Sequence, residues 1–137
     1  MNPGERIAVE IIDDPEALAR AVAARIAELI VNRDRQGKRT VLGLATGSTP
    51  VGVYRELIRL HREEGLSFRN VVTFNLDEYY PMAPASIHSY HRFMWENFFS
   101  QVDLEPEQVH IPRGDVPREQ VAGECAAYEA AIRDAGG

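Results

Sequence analysis

The sequence predicts an α/β fold, an open Rossmann-like parallel sheet with helices on both faces. Short apolar runs alternate along the chain with longer stretches whose apolar residues recur at helical spacing. Two of the short runs, residues 40–44 and 71–76, are apolar on both faces, as strands buried between two helical layers are. Polar residues follow both runs, at the edge of the sheet where α/β proteins bind ligands.

Four strands alternate with four helices in this prediction, and the 137 residues fit one domain, residues 1–137. The predicted strands are residues 7–12, 40–44, 71–76 and 109–111. The predicted helices begin near Pro15, Pro50, Ser89 and Pro117 and end near Asn32, Gly65, Phe98 and Gly136. Asp14 and Pro15 are typical of a helix start, because the carboxylate caps free amides and proline needs no amide partner.

Composition excludes several classes of partner. The formal net charge is −6 and the pI is about 5.2, whereas neutralising a nucleic-acid backbone requires a basic surface. The longest apolar stretch, residues 17–31, is interrupted by Arg20, Arg25 and Glu28, so no membrane span is expected. A small phosphate remains an acceptable ligand, because local amides can bind it whatever the net charge.

Compartment is inferred from the cysteine count and the N-terminus. The single Cys125 cannot form an internal disulfide, which favours a reduced compartment, and we expect it to be a small core residue of the last helix. Residues 1–6 lack the apolar core of a signal peptide. A cytoplasmic protein is therefore expected.

The loop after the second predicted strand, residues 46–50 (TGSTP), has the features of an anion site. Gly47 lets a ligand approach the main chain, Thr49 is a candidate N-cap, and Pro50 is a candidate first helical residue. Free amides and the positive end of the helix dipole would attract a phosphate. A well-capped helix after a tight turn would look the same, and the short motif alone does not decide between the two.

Two adjacent acids, Asp77 and Glu78, follow the third predicted strand. Desolvation at such a position raises the pKa of a carboxyl group toward the range useful for proton transfer. Because successive residues of an extended chain point in opposite directions, only one of the two is expected to face a ligand. Taken alone, an acid at a strand end is more often structural. The neighbouring anion loop reverses that preference.

Three segments together resemble one enzyme family. Residues 43–50 (GLATGSTP), residues 71–79 (VVTFNLDEY) and the pairs Ser89-Tyr90 and Phe93-Met94 are similar in order and spacing to glucosamine-6-phosphate deaminases. The resemblance covers essentially all of this chain but only about the first half of the family's usual length. It implies a truncated half of a deaminase/isomerase-type fold.

The resemblance also implies a reaction and a set of site residues. Asp77 would be the proton acceptor that moves hydrogen from C2 to C1 of the open aminosugar, giving an imine that loses ammonia to form fructose 6-phosphate. Phosphate and sugar would be held by Thr46, Gly47, Ser48 and Thr49. Tyr90 matches an aromatic residue near the site with a positional role, and Glu78 is assigned no chemistry. No cofactor is implied.

Departures from the family pattern leave alternatives open. The family's ring-opening segment, with Asp, Gly, His and a second acid, would begin just past Gly137, and the cationic phosphate clamp would also lie beyond it. The isolated chain is therefore expected to be inactive, and a non-catalytic sugar-phosphate-binding or regulatory module is the second hypothesis. A 6-phosphogluconolactonase is the third, but that family tends to carry Arg at the position of Tyr79 and another Arg in the phosphate loop.

Metal binding is not expected, and self-association is. Of His61, His88, His91 and His110 only two are close in sequence, so solvated histidines are the better interpretation. The aromatics Phe93, Trp95, Phe98 and Phe99 are expected to pack against the sheet. Ending after the last helix would leave a sheet edge uncovered, and uncovered edges favour pairing between copies, so we expect a homo-oligomer.

Overall fold

A computed structural model describes Gly4 and residues 7–137 of the chain. Its helices are α1 (Pro15–Arg35), α2 (Ser48–Glu64), α3 (Tyr90–Asn97) and α4 (Val121–Asp134). Its strands are β1 (Thr40–Leu44), β2 (Val71–Asn75) and β3 (Val109–His110). Short 3₁₀ helices lie at Phe99–Gln101, Pro106–Gln108 and Arg118–Gln120. The predicted α/β class is confirmed, since the strands form one parallel sheet in the order β1-β2-β3.

The main hydrophobic core lies between one face of the sheet and the helices α1, α2 and α3. Side chains alternate along a strand, so Leu42 and Leu44 face this layer while Val41 and Gly43 face away. The predicted packing of Phe98 and Phe99 is confirmed, because both are fully buried. The fully buried members of the core are Ala23, Leu57, Phe68, Val71, Met94, Phe98 and Phe99.

Helix α4 covers part of the opposite face. The ring of Tyr128 meets Phe74 edge-on, with centroids 5.7 Å apart, and Phe74 stacks on His110 at 4.4 Å. The Tyr128 hydroxyl donates to the carbonyl oxygens of Asn75 (2.7 Å) and His110 (3.1 Å), which ties α4 to β2 and β3. Helices therefore lie on both faces of the sheet, as predicted.

The predicted first strand, residues 7–12, is wrong. These residues form no strand, and Ile7, Val9 and Ile11 are 88%, 82% and 86% exposed. A strand is stabilised by hydrogen bonds to a neighbouring strand, and no described strand runs beside this segment. Its one polar tie to α1 is the ion pair between Glu10 and Arg25, 3.1 Å apart. The pattern was strand-like, but the pairing partner is missing from the described residues.

Cys125 and the N-terminal residues carried the expectation about the compartment of the protein. Cys125 is exposed rather than part of the core, because α4 contains no fully buried residue. Residues 1–6, on which the expected lack of a signal peptide rests, lie outside the described residues apart from Gly4. Within the described chain, no helix combines the length and apolarity needed to cross a bilayer.

Helix boundaries otherwise follow the sequence signals. Asp14 caps α1 as predicted, accepting from the amides of Glu16 (3.3 Å) and Ala17 (3.1 Å). Gly65 ends α2 in the left-handed conformation, with φ 73°. Ser89 caps α3 as predicted. Pro117 precedes a short 3₁₀ turn rather than α4 itself, which begins at Val121.

The connection after β3 packs closely against the connection after β2. The Met82 amide donates to the Gly114 carbonyl at 2.7 Å, and the Tyr80 hydroxyl donates to the Val116 carbonyl at 2.9 Å. A Cβ atom at Gly114 would collide with the Tyr79 carbonyl oxygen and would lie 2.9 Å from the Met82 Cβ. Gly114 is therefore required for close approach of two backbones.

Substituting Gly114→Ala is expected to lower the free energy of unfolding by about 1–3 kcal/mol, because the backbone of residues 79–82 cannot yield easily. Gly123→Ala is the matched control. Nothing lies within 4 Å of a Cβ there, so we expect a gain of about 0.5–1 kcal/mol from helix propensity. Urea denaturation followed by circular dichroism measures both. Equal effects of the two substitutions would contradict the packing argument.

Alkaline pH should expose the role of Tyr54, which is 2% exposed and donates its hydroxyl to the Ala45 carbonyl at 2.5 Å. Burial raises the pKa of Tyr54 from 10.0 to about 12. The folded state therefore favours the neutral phenol over the phenolate. The stability it contributes is complete below pH 10 and is lost as the pH rises from 10 to about 12.

Between pH 10 and 12, the titration of Tyr54 should make the free energy of unfolding of the wild type fall by up to about 1.4 kcal/mol per pH unit. Tyr54→Phe is expected to remove this part of the fall. At pH 7 the same variant should lose about 1 kcal/mol, because the Ala45 carbonyl loses its donor. Urea titrations at several pH values check both effects. Parallel pH profiles for the wild type and the variant would show that Tyr54 does not titrate as argued.

Candidate active site

The loop after β1 leads directly into α2, and the helix begins two residues earlier than the sequence suggested. Ser48 is the first helical residue and Gly47 is the N-cap, so the prediction of Thr49 as N-cap and Pro50 as first helical residue is wrong. Gly47 has φ 113° and ψ 176°, a conformation that side chains other than glycine rarely adopt. Gly47 can adopt the positive φ that this turn requires, whereas Thr49 could not.

This start of α2 offers amides to a ligand. No side chain caps the helix, and Gly47, Ser48 and Thr49 are exposed. The first amides of a helix lack intrahelical partners, and the dipole of this 17-residue helix adds positive potential at the same point. An anion placed here would receive backbone hydrogen bonds, which is the chemistry of a phosphate site.

The loop after β2 lies beside the loop after β1. Leu44 pairs with Asn75 at the ends of the two strands, and the Leu76 amide donates to the Leu44 carbonyl at 3.1 Å. Neighbouring strands are about 4.8 Å apart. The two chains therefore leave the sheet together, so the TGSTP loop and Asp77 belong to one rim.

The two adjacent acids have different environments. Glu78 is half-buried and accepts hydrogen bonds from the amides of Tyr79, Tyr90 and His91, each at 2.9 Å. Asp77 is exposed, and the described residues give its carboxylate no hydrogen-bond partner. The expected desolvation of Asp77 is thus absent from the described chain. Of the two carboxylates, only that of Asp77 is open to a ligand.

Tyr90 lies beside Tyr79 of the loop after β2, with the two ring centroids 4.7 Å apart. Hydrogen bonding with Tyr79 raises the pKa of Tyr90, with burial and the negative charge of Asp77 acting in the same direction, while Thr46 opposes them. The pKa of this phenol therefore depends on residues of both strand-end loops.

Polar groups also lie beneath the rim. Asn75, 2% exposed, and Thr73, fully buried, are neighbours on the face of β2 that carries the core. Within the described chain, the Thr73 hydroxyl and both side-chain polar atoms of Asn75 have no hydrogen-bond partner. Buried polar atoms without partners are uncommon in folded proteins.

Histidine and acidic residues do not gather into a metal site. Among the described residues, no group of three His, Cys, Asp or Glu side chains could hold an ion. The expectation of solvated histidines holds for the exposed His88, whereas His61, His91 and His110 are half-buried. His61 is half-buried with Nδ1 2.6 Å from the Leu66 carbonyl oxygen, and His110 stacks on Phe74. Both have structural contacts that explain their presence.

Among the predicted site residues, Thr46 and Asp77 both affect the pKa of Tyr90, and Gly47 and Ser48 follow Thr46 at the start of α2. Thr49 is exposed in the first turn of α2. The sequence analysis missed Tyr79 as a neighbour of Tyr90 and Glu78 as the partner of the start of α3. The signal for Glu78 was available, because α3 has no acidic residue in its own first turn.

Several known proteins have sequences similar to that of this chain. The model of the family described as glucosamine-6-phosphate isomerases/6-phosphogluconolactonase matches residues 13–137. A glucosamine-6-phosphate deaminase of Thermoanaerobacter sp. (strain X514) is 44% identical over 116 residues, covering 85% of this chain and 45% of the relative. Glucosamine-6-phosphate deaminase 2 of Giardia intestinalis is 51% identical over 118 residues, covering 86% and 43%. The chain spans about half the length of the curated relatives it matches.

Solved structures give the same result. A monomeric glucosamine-6-phosphate deaminase superposes with a TM-score of 0.87 at 38% identity, covering 95% of this chain and 52% of the other. The 6-phosphogluconolactonase of Thermotoga maritima superposes with a TM-score of 0.70 at 22% identity, covering 92% and 53%, and shares the fold. With its family model matched over nearly the whole chain, this chain belongs to the glucosamine-6-phosphate isomerase/6-phosphogluconolactonase family.

Proposed function

We propose that this chain carries the phosphate-binding and proton-transfer part of a glucosamine-6-phosphate deaminase. The observation that supports the proposal most directly is that Leu44 pairs with Asn75 and the Leu76 amide donates to the Leu44 carbonyl at 3.1 Å, so the TGSTP loop and the exposed Asp77 leave the sheet side by side. Relatives named as glucosamine-6-phosphate deaminases match most of the chain. A phosphate receptor and an open carboxylate on one rim suit an open-chain sugar phosphate.

In this mechanism the amides of Ser48 and Thr49, together with the nearby hydroxyls, hold the phosphate at the start of α2. Asp77 removes the proton from C2 of the open aminosugar aldehyde and returns it to C1. The double bond shifts from the C1 oxygen to the C2 nitrogen, and one proton passes from that nitrogen to the oxygen, so C1 becomes a hydroxymethyl group and C2 an imine. Water adds to the imine and ammonia leaves, so fructose 6-phosphate is formed.

Ring opening requires groups that this chain does not supply. The family resemblance assigns it to a segment beyond residue 137, and Asp77 acts only on the open sugar. We therefore expect the 137-residue chain alone to release no ammonia from glucosamine 6-phosphate. A protein of the relatives' full length that contains this chain is expected to be active. The acidic charge and the single cysteine favour a cytoplasmic role in amino-sugar breakdown.

Asp77→Asn, made in a protein of the relatives' full length that contains this chain, is expected to lower ammonia release by about 10²–10⁴-fold. Substrate affinity and thermal stability should stay unchanged, because Asp77 is exposed and has no partner in the described chain. Asp134→Asn, at the exposed end of α4, is the matched control and should retain full release. Unchanged release in the Asp77 variant would remove this carboxylate from the mechanism.

A non-catalytic sugar-phosphate-binding module is the second candidate function, favoured by the coverage of only about half of each relative. Calorimetry of the 137-residue chain with glucosamine 6-phosphate, and with glucosamine as the phosphate-free control, separates the two. Heat that requires the phosphate, without ammonia release, supports binding by this chain alone. No heat at millimolar ligand means that the phosphate-binding loop, residues 46–50, needs residues outside this chain. A lactonase assay tests the third candidate, a 6-phosphogluconolactonase. That candidate is less favoured because Tyr79 occupies the position at which the lactonases tend to carry Arg.

Self-association is also part of the proposal. Strand β1 is an edge of the described sheet, and a groove of about 590 Å³ runs beside it, lined in part by Val41, Gly43 and Ile132. Open strand edges and apolar grooves favour pairing between copies. Light scattering of the chain at rising concentration should report a mass above 15.4 kDa. A monomer throughout the series would contradict this expectation.

A further inference from the structure

We propose that Glu78 is a positioning residue, whose carboxylate fastens the loop after β2 to the first turn of α3 and thereby holds the ring of Tyr90 against that of Tyr79, in the loop that carries Asp77. Its description as a positioning residue rests on the proposed function. The structural claim itself concerns only contacts within the described chain. Neither the comparisons nor the proposed mechanism gives Glu78 a role.

The contacts of Glu78 join two segments that are twelve residues apart. One oxygen, Oε1, accepts from the amides of Tyr79 and Tyr90, and the other, Oε2, accepts from the amide of His91, all at 2.9 Å. Hydrogen bonds to an ionised carboxylate are shorter and stronger than those between neutral groups. Both ends of the connection between β2 and α3 are therefore held by one side chain.

Together with Ser89, Glu78 satisfies the amides at the start of α3. The Ser89 hydroxyl accepts from the Arg92 amide at 3.0 Å, while Glu78 accepts from Tyr90 and His91. These are the first three residues of the helix. Because the first turn of α3 contains no acid of its own, Glu78 also supplies the negative charge that a helix dipole favours there.

The position of Tyr90 depends on this arrangement. Tyr90 is the first residue of α3, so its backbone amide is bonded to Glu78 while its ring lies 4.7 Å from the ring of Tyr79. Tyr79 in turn donates its own amide to Glu78, and its carbonyl abuts Gly114 on the other side. The loop cannot retreat toward Gly114, so loss of the Glu78 contacts would separate Tyr79 from Tyr90.

Glutamine cannot replace this carboxylate. A carboxamide has one acceptor oxygen, and its NH₂ group is a donor that would face an amide N–H. Glu78→Gln has nearly the same size and shape, so it tests the acceptor pattern rather than the packing. Glu96→Gln, also an acid-to-amide change in α3, is the matched control, since Glu96 is exposed and, among the described residues, its carboxylate pairs only with Arg92, at 2.6 Å.

The experiment uses the 137-residue chain with ¹³C at the tyrosine Cζ, and Tyr90→Phe identifies the Tyr90 signal. In Glu78→Gln we expect the pKa of Tyr90 to fall back toward its ordinary value and the contacts between the Tyr79 and Tyr90 rings to be lost. Glu96→Gln should leave both unchanged. A lower melting temperature with an unchanged Tyr90 titration would overturn the proposal, because a purely structural cap would give that result.

A second variant decides the matter if Glu78→Gln does not fold. Glu78→Asp keeps both acceptor oxygens but shortens the side chain by one methylene, so the amide signals of Tyr90 and His91 should move upfield together and the ring contacts between Tyr79 and Tyr90 should weaken. Ring contacts that persist while both amide signals move would refute the positioning role. Neither readout involves sugar phosphate or turnover, so the result stands whether or not the proposed reaction is correct.

Discussion

The parallel pairing of β1 with β2 is the interaction on which the candidate site depends. Its register sets Leu44 opposite Asn75, and the bond from the Leu76 amide to the Leu44 carbonyl extends the pairing beyond the last strand residue. All five residues of β2 are buried, so this strand cannot slip without exposing core side chains. Two loops that are thirty residues apart in sequence are thereby held on one rim.

Much of this arrangement could be predicted from the sequence, because it follows from local signals. The β-branched runs at 40–44 and 71–76 define buried strands, and Asp14, Gly65 and Ser89 mark helix ends through their own backbone and side-chain chemistry. One of the remaining errors has a long-range cause. Residues 7–12 alternate as a strand does, but strand formation depends on a partner that local sequence does not reveal. The N-cap of α2 is Gly47 rather than Thr49 for a different reason, because the turn requires positive φ.

The pair Asp77-Glu78 shows why the site was only partly predictable. Period-two alternation implied that one carboxylate would face a ligand, and the structure leaves Asp77 open while engaging Glu78. What alternation could not give is the identity of Glu78's partners, since they belong to a helix that begins twelve residues later. Adjacent acids of the same chemistry thus differ through the elements packed around them.

Trp95 has a practical consequence for this region. It is the single tryptophan of the chain, it lies in α3, and its indole meets Phe99 edge-on at 5.5 Å. Ultraviolet emission from the unlabelled chain therefore originates mainly from the helix that carries Tyr90. Docking or loosening of that helix can be followed optically in real time, at micromolar concentration and without isotopes.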